Sequence, residues 1–200
     1  MNQPILISID LETRGQDPAA CAIASIGMAA SGWNSEGWLD TYYAEIAAAS
    51  ALQYGQEDAD TMEWWAKQPE HAQAVLTRGR ILIPDALAAL AEKIAALNPK
   101  NEQGRHNSRV VIIARGPQFD LTILRRHFAA AGIPCPWAYW QERCHRSLEQ
   151  AWRAVAKSRS GTPWPKYTDY SPAAHNAEVD AKQQATYLIK LAAQVRSQQP

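Results

Sequence analysis

Long apolar runs are missing from this sequence. No stretch approaches the roughly 18 residues that a membrane-spanning helix needs. The N-terminus, MNQPILISID, has no basic region and only a short apolar core, so it is not expected to act as a secretory signal. Cysteine is scarce: Cys21, Cys135 and Cys144 are odd in number, widely spaced and unlike any zinc pattern. They read as reduced residues of a cytoplasmic protein. Net charge is absent too, with 20 Lys and Arg against 20 Asp and Glu, which by itself argues against strong attraction to polyanions.

What is present is globular. Hydrophobic residues make up 46% and charged residues 20% of 200 positions, enough for one domain over residues 1–200 with a full core and a frayed tail. The zero balance hides an asymmetry. Residues 1–100 carry 6 Lys or Arg against 13 acids, net −7, and residues 101–200 carry 14 against 7, net +7. The densest basic segment, 143–166, holds Arg143, Arg146, Arg153, Lys157, Arg159 and Lys166 against one acid, Glu149. It is either a solvated helix face or a flank that contacts phosphates, with Arg153, Lys157 and Arg159 as the phosphate-binding candidates.

Periodicity places strands at 4–10, 21–30 and 37–46, joined by short polar links as in an antiparallel meander. Helical spacing follows from Glu57 to about Arg78, with Pro69 starting a second helix there. PDALAALAEKIAALNP is a cleaner helix with an apolar stripe of Leu87, Leu90, Ile94 and Leu97. The run RVVIIARG reads as a strand covered on both faces. Helices are then expected at 119–132, about 141–156 and about 176–194, separated by an aromatic loop at 133–140 and a polar one at 158–172. The class is α/β, a mixed β-sheet flanked by α-helices in a single domain.

Three short elements carry acids. ISIDLETRG ends an apolar strand with Asp10 and Glu12 on one face, where two like charges repel unless something compensates. In GPQFDL, Asp120 falls in the first turn of a helix, a position that also suits a plain dipole-stabilising acid. In HNAEVDA, His175 and Asp180 are five apart and would not share a helix face. With Asn176 as N-cap, His175 stays in the preceding loop and the two side chains converge. Four carboxylates and a histidine suit Mg²⁺ or Mn²⁺, and two such ions can hold the attacking and leaving oxygens of a phosphodiester. The other histidines, His71, His106, His127 and His145, read as surface or packing residues.

SIDLET, GPQFD and HNAEVD resemble, in order and spacing, the three motifs of the DEDDh 3′–5′ exonucleases on a ribonuclease H-like fold. IASIG, WWAKQ, FDLTIL and PWAYWQER narrow the resemblance to a small family of 3′–5′ exoribonuclease-like proteins from mycobacteria, phages and prophages. It runs from about residue 5 to 190. It implies that Asp10, Glu12 and Asp180 hold one divalent ion and that Asp10 and Asp120 support a second. It further implies that His175 is the general base. The substrate would be a single-stranded RNA or DNA 3′ end, released as nucleoside 5′-monophosphates. The terminal hydroxyl would lie against the segment that carries Asp10, Leu11 and Glu12, and relatives suggest a homodimer. In this sequence the backbone of Glu12 and Thr13 offers N–H and carbonyl groups to that hydroxyl, alongside Leu11, and Phe119, beside Asp120, could pack under the terminal base. The chain departs from its relatives at Cys144 and Ser147, where an acid and a threonine are common, and at Arg115, where asparagine is frequent.

Most of the eight tryptophans are expected to pack rather than stack on bases. At least one of Trp64 and Trp65 should face the core, and Trp137, Tyr139 and Trp140 are the better surface candidates. Two other classes compete with a nuclease. A haloacid dehalogenase-type phosphatase also begins with a strand ending in Asp-x-Asp-x-Thr, but here the third position is Glu12. A non-catalytic nucleic-acid-binding relative would normally have lost ligands, and all five candidates are retained.

Overall fold

The computed structural model describes residues 4–33, 37–168 and 175–197. Among them, β1 (Ile5–Thr13), β2 (Ile23–Gly32) and β3 (Asp40–Glu45) form the expected antiparallel meander. The chain then runs through α1 (Ala48–Tyr54), α2 (Ala59–Ala66), α3 (Glu70–Gln73), α4 (Val75–Arg78) and α5 (Ile83–Leu97). It returns to the sheet as β4 (Val110–Ala114), leaves it for α6 (Asp120–Ala130), and adds β5 (Glu142–Cys144) before α7 (His145–Ser160) and α8 (Ala177–Ser197). The sheet order is β3-β2-β1-β4-β5, with β4 parallel to both β1 and β5. The mixed sheet flanked by helices is as expected.

Two elements depart from the sequence reading. Helix α1 lies in AASALQY, an alanine-rich stretch with too few polar residues to show a period. Residues 142–144, expected to be helical, are a three-residue strand held by its pairing with Ile112–Ala114. No local signal marks so short a strand, because the neighbour supplies its hydrogen bonds. The frayed tail and the end of the 158–172 loop fall outside the described residues.

The strand β1 divides the interior in two. Its odd residues Ile7, Ile9 and Leu11 join a large core with α5 and α6, including Leu87, Leu90, Leu124 and Phe128. Its even residue Leu6 packs with Ile113, Ala185 and Leu188, on the face that α8 covers. Strand alternation therefore points Asp10 and Glu12 toward the same face as α8.

Helix α8 lies close to the sheet because of one glycine. Gly27 on β2 is the register partner of Asp10, and a β-carbon there would overlap the backbone of Ala177 and Glu178. Gly27→Ala must push the start of α8 away, and overpacking of this kind costs about 1–3 kcal/mol. Urea denaturation should show a loss in that range; an unchanged midpoint would mean that α8 tolerates a wider separation.

Candidate active site

Asp10, Glu12 and Asp180 each place a carboxylate oxygen within 4.8 Å of the others. Asp10 and Glu12 come from the end of β1, where the register with β2 shifts between Glu12 and Thr13. Trp65 fixes that strand end, its indole N–H donating to the Thr13 carbonyl at 2.9 Å. Asp180 comes from the first turn of α8, one turn earlier than expected. Asn176 caps that helix, its side-chain oxygen accepting from the Val179 N–H at 3.1 Å. His175 stands one residue before the cap with φ 66°, and its own N–H donates to the Asp180 carboxylate at 3.0 Å. Asn176 caps the helix as expected, and the contact formed runs from the backbone N–H of His175, not its ring, to the acid.

Asp120, the first residue of α6, lies outside the three-carboxylate group but lines the same cavity, of about 360 Å³. His175, Leu11, Phe119, Gln184, Arg115 and Arg146 line it as well. The ring of His175 meets Trp64 edge-on at 4.9 Å and Trp65 at 5.9 Å between centroids. Thr13 borders a smaller cavity of about 260 Å³, which shares Leu11, Glu12 and Phe119 with the first and adds Trp64 and Trp65.

The electrostatics are unfavourable without a cation. Burial, then the charges of Asp120, Glu12 and Asp180, pushes the Asp10 carboxyl well above its ordinary range, against a hydrogen bond from Gln184. Burial, Asp180 and Asp120 push Glu12 up to about 8. Burial pushes Asp120 up to about 7, opposed by main-chain N–H groups of Asp120 and Leu11 and by the charge of Arg146. Among the described residues, Asp10, Glu12 and Asp120 form no ion pair. The clustered carboxylate oxygens of Asp10, Glu12 and Asp180 are hard donors of the kind that hold a divalent cation.

Several positions differ from expectation or were not foreseen. Arg153, Lys157 and Arg159 do not line the cavity. Arg153 donates to the Trp164 carbonyl at 2.9 Å and Arg159 to the Val195 carbonyl at 2.6 Å. The cations that do line it are Arg115 and Arg146. Trp137, expected at the surface, is 2% exposed and packs on Phe128, because its indole N–H finds Glu142 at 2.8 Å. Trp65 is buried and Trp64 is 40% exposed. Gln184 escaped sequence reasoning. It donates to Asp10 at 2.8 Å, and its place four residues after Asp180 was the available signal.

A mixed sheet with acids at the end of its first strand and at two helix starts defines a ribonuclease H-like fold. Solved structures share it. Exonuclease I from E. coli with a dT13 oligonucleotide gives a TM-score of 0.66 at 13% identity, over 98% of this chain and 42% of that one. A zinc-bound form of E. coli ExoI with ssDNA gives 0.59 at 18%, over 100% and 42%. A product-bound exonuclease I gives 0.60 at 16%, over 98% and 44%. The chain thus spans less than half the length of these structures. No curated protein sequence matches it. Residues 6–192 match the model of the 3′-5′ exoribonuclease Rv2179c-like domain, and the chain belongs to that family.

The raised carboxyls set a pH dependence. Their protons bind more tightly in the folded chain, so the stability they contribute is full below the ordinary carboxyl range near pH 4 and is lost as pH rises through about 7 to 8. His127, held down to about 4 chiefly by burial, acts oppositely but has delivered its full contribution above pH ~6.5. Between about pH 6.5 and 8.5 the metal-free protein should therefore lose Tm. Asp10→Asn should flatten that loss, and Mg²⁺ should raise Tm more at the upper end. A metal-free Tm that rises over this range, or an Asp10→Asn protein less stable than wild type at its top, would contradict the charge assignment.

Proposed function

We propose that this chain is a 3′–5′ exonuclease of the DEDDh type that hydrolyses single-stranded RNA or DNA to nucleoside 5′-monophosphates. One observation carries the reading: Asp10, Glu12, Asp120, Asp180 and His175 line a single cavity although they come from β1, the start of α6 and the start of α8. Membership of a family described as exoribonuclease supports it and favours RNA.

Asp10, Glu12 and Asp180 would hold one Mg²⁺ or Mn²⁺, and Asp10 and Asp120 a second, which would supply charge neutralisation at the attacking and leaving oxygens. Gln184 orients Asp10 through its 2.8 Å hydrogen bond. His175 takes the proton of the attacking water, and Trp64 and Trp65 fix the plane of its ring. The terminal nucleoside occupies the smaller cavity beside Thr13 and Phe119, which leaves only the last phosphodiester among the carboxylates. Outside the cavity, Arg153, Lys157 and Arg159 add to the positive field around α7 and steer the strand. No helix among the described residues is long and apolar enough to cross a membrane. The free thiols of Cys21, Cys135 and Cys144 suit a cytoplasmic setting.

Matched 5′-labelled RNA and DNA strands, digested with Mg²⁺ or Mn²⁺, should give a descending ladder, and a 3′-phosphate should block it. Immediate release of the label as a mononucleotide, or cutting of a circular strand, would exclude 3′–5′ polarity. Asp10→Ala should lose activity by orders of magnitude while remaining folded. His175→Ala should lose roughly 10²–10⁴-fold near neutrality and recover in part at high pH, where hydroxide is more abundant. Near-normal turnover by folded Asp10→Ala would refute the metal site.

A further inference from the structure

The cavity that gathers the acids also carries two cations, and they are held very differently. Arg115 is fixed. Its Nη1 lies 3.2 Å from His145 Nδ1 and 3.5 Å from Glu149 Oε2, and its guanidinium sits 4.2 Å from the centre of the Tyr167 ring. Glu149 is itself buried and accepts the Tyr167 N–H at 2.9 Å. Arg146, in the first turn of α7, is exposed and lines the same cavity. Its Nη1 reaches the bare face of Gly116, where an added β-carbon would stand 2.9 Å away. It has no hydrogen bond or ion pair among the described residues, although Asp120 lies near enough to feel its charge.

An arginine whose task was to neutralise Asp120 would close to ion-pair distance. Arg146 does not, and its planar fork of N–H donors matches the oxygens of a phosphate. An anionic strand entering an acid-lined cavity is repelled until a cation in that cavity attracts it. Resting on the nuclease reading, we propose that Arg146 is the substrate-positioning residue that binds the phosphate of the terminal nucleotide, with Arg115 as the fixed positive wall beside it. The long-range field of Arg153, Lys157 and Arg159 attracts the strand without selecting its position; Arg146 supplies the local contact.

The test uses adenosine 5′-monophosphate and adenosine as probes, in calorimetric titrations of the full chain with Mg²⁺ present. Wild type should prefer the monophosphate. Arg146→Ala should weaken monophosphate binding roughly 10- to 100-fold and leave adenosine binding unchanged. Arg146→Lys should restore part of the loss, which a merely structural role would not predict. Exposure of Arg146 lets the variants fold, and an unchanged Tm verifies it. The proposal is overturned if wild type shows no preference for the monophosphate, or if Arg146→Ala keeps that preference. Hydrolysis of a labelled strand by wild type separates the two readings. Absence of cleavage together with an Arg146-dependent phosphate preference would sink the nuclease and leave the phosphate contact. Cleavage by an Arg146→Ala protein with unchanged KM would do the reverse.

Discussion

Mutual repulsion among buried carboxylates is the constraint around which the rest of this structure is arranged. Burial, then the charges of Asp120, Glu12 and Asp180, raises the proton affinity of Asp10, and burial with the charges of Asp180 and Asp120 raises that of Glu12. A fold assembled only for stability would separate such groups or give them basic partners. Here they are driven together by elements with ample apolar burial of their own. The odd face of β1 anchors the strand in the main core, so its even face can carry the acids. Gly27 lets α8 lie against the sheet directly beside Asp10, and the alanines and leucines of α8 hold it there. Arg146 offsets part of the charge at Asp120, and no ion pair among the described residues offsets that of Asp10 or Glu12, an arrangement that suits a bound cation.

Helix α8 links fold and chemistry most directly. Ala181, Ala185 and Leu188 bury one stripe of it, while Asp180 and Gln184 are directed to the cavity. Asn176 ends the preceding turn so that His175 stays out of the helix yet bonds to Asp180 through its backbone. A shift of one residue in this cap would remove either the histidine or the acid from the cavity. The spacing is therefore a constraint on geometry as well as a motif.

The parts legible in the sequence were those whose signal is local. Strand alternation placed Asp10 and Glu12 on one face, and the Asn176 cap separated His175 from the helix that carries Asp180. Apolar periodicity marked α5 and α8. The parts that escaped depend on partners distant in sequence. β5 is a strand only because β4 offers it hydrogen bonds, and Trp137 is buried because Phe128 and Glu142 wait for it. The basic segment showed its charge but not its direction. Arg146 stands in the first turn of α7 and lines the cavity, whereas Arg153, two turns further along the same face, and Arg159 are spent on the carbonyls of Trp164 and Val195. Composition cannot distinguish these cases, since each is an arginine on the same helix.

The central claim is that the acids are assembled to hold divalent ions for phosphodiester cleavage. Its most direct test is to follow Mn²⁺ binding by electron paramagnetic resonance while measuring cleavage of single strands in the same titration. Cleavage should rise in step with Mn²⁺ occupancy, vanish on chelation, and be lost together with binding in Asp180→Asn. Undiminished cleavage after chelation, or full Mn²⁺ occupancy without cleavage of either RNA or DNA, would contradict it.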